Sequence, residues 1–116
     1  MGRKAYALVT TACANAEDAQ PIIDALLSKK LAASVQVIPV TSHYTWKGKV
    51  NREEEVLLLI RCGSGSFEAI RDEILSLHKY ELPEIIQIPV TDGLAPYLEW
   101  IDNPDLTPCV KYDRNR

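Results

Sequence analysis

The spacing of apolar residues alternates along this chain between a period of two and a period of three to four, which predicts alternating strands and helices. The longest run of large aliphatic residues is Val-Leu-Leu-Leu-Ile at positions 56–60. Successive strand residues point to opposite faces of a sheet, so this run puts large side chains on both faces. We therefore expect both faces of the predicted sheet to be covered.

Four strands are predicted from short β-prone runs bounded by turn residues. They lie at about residues 5–11, 33–46, 53–62 and 84–90. The second and third form one long hairpin around a turn at residues 47–51, and its tip is expected to project beyond the domain. Pro39 cannot donate to a strand ladder, so it marks a bulge or an edge in the second strand.

The first predicted helix carries its apolar residues on one side: Ile22, Ile23, Leu26, Leu27 and Leu31. Its start is ambiguous. A cap at Asn15 would leave Pro21 in the helix interior at a cost of about 3 kcal/mol, whereas a cap at Asp18 would place Pro21 in the first turn. We expect a late start or a kink.

Two further helices are predicted. The second is capped by residues 63–66 and ends near His78, and it has a narrow apolar stripe made of Phe67, Ile70, Ile74 and Leu77. The third follows Asp92 and Gly93 and is stopped by Asn103 and Pro104.

This order of elements, with right-handed crossovers, predicts an α+β fold: a ferredoxin-like split βαβ sandwich (βαββαβ) with an additional C-terminal helix. Both main helices would cover one sheet face and leave the other bare. A bare apolar face of this size favours closed oligomerisation through the sheets. We expect one domain over residues 1–103 and a tail over residues 104–116.

The composition fits a globular protein with one core, since 47% of the 116 residues are hydrophobic and 25% are charged. A net charge of -3 with no basic stripe argues against a nucleic-acid partner. The chain has no apolar run of the roughly 18 residues that span a bilayer, and its amino terminus lacks the apolar core of a secretory signal. We therefore expect no membrane association and a cytoplasmic location, where Cys13, Cys62 and Cys109 would stay reduced.

Several ordered segments resemble the CutA family, the divalent-cation tolerance proteins. They are Ser-His-Tyr-Thr-Trp-Lys-Gly-Lys at 42–49, Glu-Glu-Glu-Val-Leu-Leu-Leu-Ile at 53–60, Leu-His-Lys-Tyr-Glu-Leu-Pro-Glu at 77–84 and Tyr-Leu-Glu-Trp-Ile at 97–101. The likeness runs from about residue 5 to residue 102. It implies a non-enzymatic homotrimer in which each hairpin reaches onto a neighbour and the third helix closes the edge, as in PII signalling proteins.

The resemblance also implies a cleft between subunits that binds a metal ion or a small anionic ligand. Its lining here would be Tyr44, Trp46, Lys49, His78, Tyr80 and Glu84. The lysine and histidine would offer donors to an anion, the aromatic rings would offer stacking faces, and the glutamate would order the cationic side chains.

Binding of Cu(II) or another divalent cation is the activity that the resemblance implies. The family uses a cysteine at the end of the first strand and one or two histidines before a tyrosine. The corresponding residues here are Cys13, which comes later than in the family, and His78, which has Leu77 before it instead of a second histidine. A cation at a helix C-terminus also stabilises the helix dipole, so His78 has a structural interpretation as well.

Other functions are less well supported by the residues. A scaffold or PII-like signalling protein that acts through a protein partner is the main alternative. An acylphosphatase-type hydrolase would need an arginine in the loop after the first strand, and residues 12–15 contain none. An RNA-binding sheet would need exposed aromatics where residues 56–60 are aliphatic. Glu53, Glu54 and Glu55 are interpreted as solvated charges or as partners of nearby basic residues.

Overall fold

A computed structural model describes residues 5–105 of the chain. It contains four strands and three α-helices, with a short 3-10 turn before the second helix. The elements are β1 (Tyr6–Cys13), α1 (Ala16–Ser28), β2 (Ser34–Trp46), β3 (Lys49–Gly63), α2 (Phe67–Leu77), β4 (Ile86–Val90) and α3 (Ala95–Asp102). The predicted α+β class is confirmed, and the predicted tail beyond Asp105 lies outside the described residues.

The four strands form one antiparallel sheet in the order β2-β3-β1-β4. The two outer strands each contain a proline: Pro39 stands opposite Val56, and Pro89 stands opposite Ala7. Pairing continues past Pro39 without a break in register. Pro39 therefore marks an edge strand rather than a bulge, because the missing N–H can face away from the sheet.

One face of the sheet is covered by α1 and α2, and the core lies there. Its fully buried members include Val9, Ile22, Leu58, Ile60 and Ile74. Burial of an aliphatic side chain contributes about 1.5–3 kcal/mol, so this layer is the main source of stability within the chain. Both predicted main helices lie on this face.

The opposite face carries the alternate residues of the same strands. Leu57 and Leu59 are only partly buried there, Ile86 is 51% exposed and Ile88 is 45% exposed. The segment after α2 crosses the end of β1 and covers Thr10 and Ala12, and α3 supplies Asp102 to a hydrogen bond from the Tyr6 hydroxyl at 2.6 Å. The rest of this face is not covered by residues 5–105.

Helix α1 begins earlier than the sequence suggested. Asn15 is its N-cap, and the Asn15 side chain accepts a hydrogen bond from the Asp18 backbone N–H at 2.8 Å. Of the two expectations, a late start or a kink, the late start with a cap at Asp18 is wrong, and Pro21 lies inside the helix. Pro21 is tolerated there because it is exposed, so the Glu17 carbonyl that loses its intrahelical partner is near solvent.

The hairpin between β2 and β3 closes through two residues, Lys47 and Gly48, instead of the predicted five. Both have positive φ, at 51° and 78°. This is the twist of a type I′ turn, which suits the right-handed twist of the flanking strands. Glycine adopts it freely and lysine does so at some cost, so the tight turn was not evident from the sequence.

Within residues 5–105, none of the helices has the length and hydropathy required to cross a bilayer.

Candidate functional site

A cavity of about 940 Å³ lies where the hairpin rises above the end of β1. We call it the hairpin cleft. The hairpin forms one wall and the segment after α2 forms the other. Its lining is Ala12, Ser42, His43, Tyr44, Trp46, Glu53, Glu55, Lys79, Tyr80, Glu81, Leu82, Pro83 and Glu84.

The register of the hairpin explains which side chains reach the cleft. Ser42 pairs with Glu53, and Val40 pairs with Glu55. Paired residues of an antiparallel ladder point to the same face, and so do residues two apart on one strand. Tyr44 and Trp46 therefore share a face with the two glutamates, on the side of the sheet away from α1 and α2.

The opposite wall is held to the sheet by two short hydrogen bonds. The Tyr80 hydroxyl donates to Glu55 Oε2 at 2.5 Å, and the Thr10 hydroxyl donates to Glu84 Oε2 at 2.7 Å. Hydrogen bonds to ionised acceptors are short and stronger than those between neutral groups. They fix two carboxylates of the cleft in defined positions.

Burial and nearby carboxylates raise the pKa values of two tyrosines in the cleft. Burial, followed by the hydrogen bond to Glu55, raises the pKa of Tyr80 well above its ordinary value. Burial and a hydrogen bond to Glu53 raise the pKa of Tyr44. Both phenols thus remain neutral donors across the physiological pH range, because a phenolate here would be desolvated and repelled by nearby carboxylates.

His78 and Cys13 meet at the end of β1, with Sγ and Nε2 3.7 Å apart. Both nitrogens of the imidazole ring already have partners. Nε2 lies 2.8 Å from the Ala12 carbonyl oxygen, to which it can only donate, and Nδ1 accepts the Tyr80 backbone N–H at 3.1 Å. These bonds specify a neutral ring with the proton on Nε2.

The Cys13 thiol is buried beside this ring. Burial, with smaller effects of Asp18 and Glu55, raises the pKa of Cys13 to about 11. A metal ion that used Cys13 and His78 would have to remove the thiol proton and replace the hydrogen bond to Ala12. Residues 5–105 contain no group of three or more His, Cys, Asp or Glu side chains placed to hold a metal ion.

The six residues predicted for the cleft divide into two sets. Tyr44, Trp46, Tyr80 and Glu84 line it together. Lys49 and His78 do not line it, although the His78 ring contacts the Tyr80 ring with centroids 4.8 Å apart.

Sequence reasoning did not assign Glu53 and Glu55 to the cleft. Of the three consecutive glutamates, only Glu54 forms an ion pair among the described residues, with Arg52 at 3.0 Å. The sequence does show that Glu54 points to the opposite face from Glu53 and Glu55, because successive strand residues alternate between the two faces of a sheet. The sequence alone does not give the pairing of Val40 with Glu55 that brings those neighbours to the aromatic residues.

The family model described as "CutA1 divalent ion tolerance protein" matches residues 7–104. The chain belongs to this family, as the resemblance of its segments predicted.

Named relatives agree with this assignment. The human protein named "Protein CutA" is 43% identical over 101 residues, which cover 86% of this chain and 55% of the human protein. The chain thus spans about half the length of that relative. A solved structure titled as the periplasmic divalent cation tolerance protein CutA from Archaeoglobus fulgidus has a TM-score of 0.81 and 35% identity, covering 84% of this chain and 95% of that one. CutA1 from Shewanella sp. SIB1 has a TM-score of 0.81 and 36% identity, covering 88% and 96%.

Proposed function

We propose that this protein is a non-enzymatic homotrimer of divalent-cation tolerance, with a ferredoxin-like subunit and a ligand cleft completed by neighbouring copies. The observation that carries the proposal is the uncovered sheet face next to the hairpin cleft. Leu57, Leu59, Ile86 and Ile88 form an apolar surface there. An apolar surface of this kind, beside a polar cleft, favours association between copies of the chain.

The trimer is tested by sedimentation equilibrium of the purified chain and two matched variants. Ile86→Lys places a charge on the uncovered face, at a residue that is 51% exposed. Leu75→Lys places the same charge on α2, at a residue that is 53% exposed. We expect a trimer for the unchanged chain and for Leu75→Lys, and dissociation for Ile86→Lys. A monomeric unchanged chain, or equal effects of both substitutions, would contradict the proposal.

Divalent-cation binding is proposed at Cys13 and His78, with Cu(II) as the first ion to test. A thiolate and an imidazole suit copper and zinc, and they already lie in contact. The two groups supply only two donors, so water or a neighbouring subunit would complete the coordination. Titration calorimetry with Cu(II) and Zn(II) should show saturable heat that Cys13→Ser abolishes and Cys62→Ser leaves intact.

Binding at this pair must also release protons, because the raised pKa keeps the Cys13 thiol protonated. The heat should therefore change with the ionisation enthalpy of the buffer. Saturable heat that survives Cys13→Ser would move the ion elsewhere, and no heat with either ion would remove the metal proposal while leaving the trimer intact.

The small anionic ligand, which the sequence also suggested for the cleft, has less support. The cleft contains Glu53, Glu55, Glu81 and Glu84, while Lys49 and His78 do not line it. Carboxylates repel an anion in a partly enclosed site.

A cytoplasmic location is part of the proposal. Cys13 and Cys62 are both free and buried, as suits a reducing compartment. Fractionation of cells that express the chain would test this location.

A further inference from the structure

We propose that residues 106–112 bind within their own chain, in a second cavity at the end of the sheet opposite the hairpin cleft. We call this cavity the sheet-end pocket, and its volume is about 580 Å³. The family model ends at residue 104, so the segment lies beyond the family match. The proposed contact does not rest on the metal site or on the trimer proposed above.

The sheet-end pocket lies where β3 ends and where β1 and β2 begin. Its walls include the end of α1, the end of β3 at Cys62, and residues 101–105. Cys62 stands opposite Ala7 in the sheet, and both residues belong to the core beneath α1 and α2. None of the four described residues assigned to contact between copies lines it. The pocket is therefore distinct from the apolar surface that the proposed trimer covers.

Part of the lining is apolar and continues the core. Ala32 and Cys62 are buried members of the core cluster, and Leu31 packs against that cluster. Leu27 also lines the pocket, where its side chain is 41% exposed. A concave site of this size that extends an apolar core suits an apolar occupant, because the occupant would shield Leu27 from water.

The chain leaves the described region at the rim of this pocket. Asn103, Pro104 and Asp105 are part of the lining. The Asp105 carboxylate lies 2.8 Å from the ammonium group of Lys30, which follows α1 on the opposite wall. Both groups are exposed, so this ion pair adds little stability, but it shows that residue 105 crosses the pocket. A segment tethered directly at its binding site has an effective concentration of roughly millimolar or higher, so a weak contact holds it there.

The sequence of the segment fits an apolar groove. Residues 106–112 are Leu-Thr-Pro-Cys-Val-Lys-Tyr, and the residues that follow are all polar or charged. Leu106, Pro108, Val110 and Tyr112 recur with a period of two, which would put them on one side of an extended segment. Proline also favours an extended conformation for the residue before it. The pattern predicts one apolar side that covers the pocket, followed by a solvated end.

Methyl NMR of the full chain tests the contact directly. With leucine and valine methyl groups labelled, we expect nuclear Overhauser effects from Leu106 or Val110 to Leu27 or Leu31. A sample refolded from two differently labelled batches separates contacts within one chain from contacts between copies. No effect between the segment and the pocket, or effects only between copies, would overturn the proposal.

Limited trypsin digestion followed by mass spectrometry gives a second readout. Lys111 lies inside the proposed docked segment, and Arg114 lies beyond it as the reference site. Leu27→Ser should accelerate cleavage after Lys111 by roughly tenfold relative to cleavage after Arg114, because loss of one buried leucine lowers the docked population by about that factor. Val110→Ser changes only the segment and should give a similar acceleration.

The matched control is Leu75→Ser. Leu75 is 53% exposed on α2 and does not line the pocket. Its substitution should change cleavage after Lys111 by less than about twofold. Equal acceleration by Leu27→Ser and Leu75→Ser would indicate a general loss of stability, and no acceleration by Leu27→Ser would place the segment elsewhere. Either result would overturn the proposed docking.

Discussion

The two faces of the sheet differ although the same strands build both. On the face beneath α1 and α2, Leu58 and Ile60 are fully buried by their own chain. On the other face, their neighbours Leu57 and Leu59 are only partly buried, and Ile86 and Ile88 are about half exposed. Alternate positions of one apolar run therefore differ in how far the chain itself buries them. One face is complete within a subunit, and the other accounts for the proposed association.

The largest expected effect comes from truncating one residue of each face. Leu58→Ala removes a fully buried side chain and should lower the free energy of unfolding by about 2–5 kcal/mol. Leu57→Ala should cost less in dilute protein, with a cost that grows with protein concentration if copies cover that face. Urea unfolding at two concentrations measures both. Equal, concentration-independent costs would remove the difference between the faces.

Tyr6 tests one of the places on the second face that the chain itself covers. Tyr6→Phe removes the hydrogen bond to Asp102 and should cost about 1.5–3 kcal/mol. That hydrogen bond, followed by burial, raises the pKa of Tyr6 from 10 to about 12. Because the raised pKa belongs to the folded state, this contribution is fully present below pH 10 and is lost as the pH rises towards 12.

The measurement for Tyr6 is urea unfolding at pH 8 and at pH 11.5. The stability difference between the unchanged chain and Tyr6→Phe should shrink at the higher pH. Tyr97→Phe, on α3 but without this hydrogen bond, is the control. If the stability difference between the two chains stays constant with pH, the protonated Tyr6 hydroxyl does not stabilise the fold through its hydrogen bond to Asp102.

Two substitutions in and next to α1 test how this helix contributes to the stability of the helix-covered face. Pro21→Ala restores a backbone N–H at an exposed position within α1. It should raise the free energy of unfolding by about 1 kcal/mol, after allowance for the more flexible unfolded chain. Asn15→Ala removes the cap and should lower it by about 1 kcal/mol. Thermal unfolding followed by circular dichroism measures both. A loss of stability in Pro21→Ala would show that the proline fits its site.

The smallest effect is expected at the hairpin turn. Lys47 adopts a φ of 51°, which asparagine tolerates better than lysine. Lys47→Asn should raise the free energy of unfolding by a few tenths of a kcal/mol, and Gly48→Ala should lower it. Urea unfolding of both variants checks the sign. Stabilisation by Gly48→Ala would contradict the assigned turn.

The sequence predicted those parts of the fold that depend on local periodicity. The run at residues 56–60 placed aliphatic groups on both faces, and Pro39 indicated a bulge or an edge, of which the structure shows the edge. The early start of α1 was missed because the penalty for Pro21 was weighed without knowing that its position is exposed to water. The two-residue turn was missed because lysine rarely adopts a positive φ.

The site was less predictable, because it depends on contacts between segments far apart in sequence. The aromatic residues and Glu84 were expected in the cleft, and they line it together. The contributions of Glu53 and Glu55 depend on strand register, and the contact of His78 with the Ala12 carbonyl depends on how the segment after α2 meets the end of β1. The family resemblance implied a cleft with this aromatic lining, whereas the acidic character of the cleft became clear only from the strand pairing.

The prolines of the outer strands restrict how the sheet can extend. Pro39 and Pro89 each remove a hydrogen-bond donor from one of the strands that bound the sheet. A further strand added at either rim must leave an acceptor unmatched or shift to avoid the proline ring. Unlimited stacking into fibrils is thereby disfavoured, so that a protein with much exposed aliphatic surface is protected against aggregation at its rims.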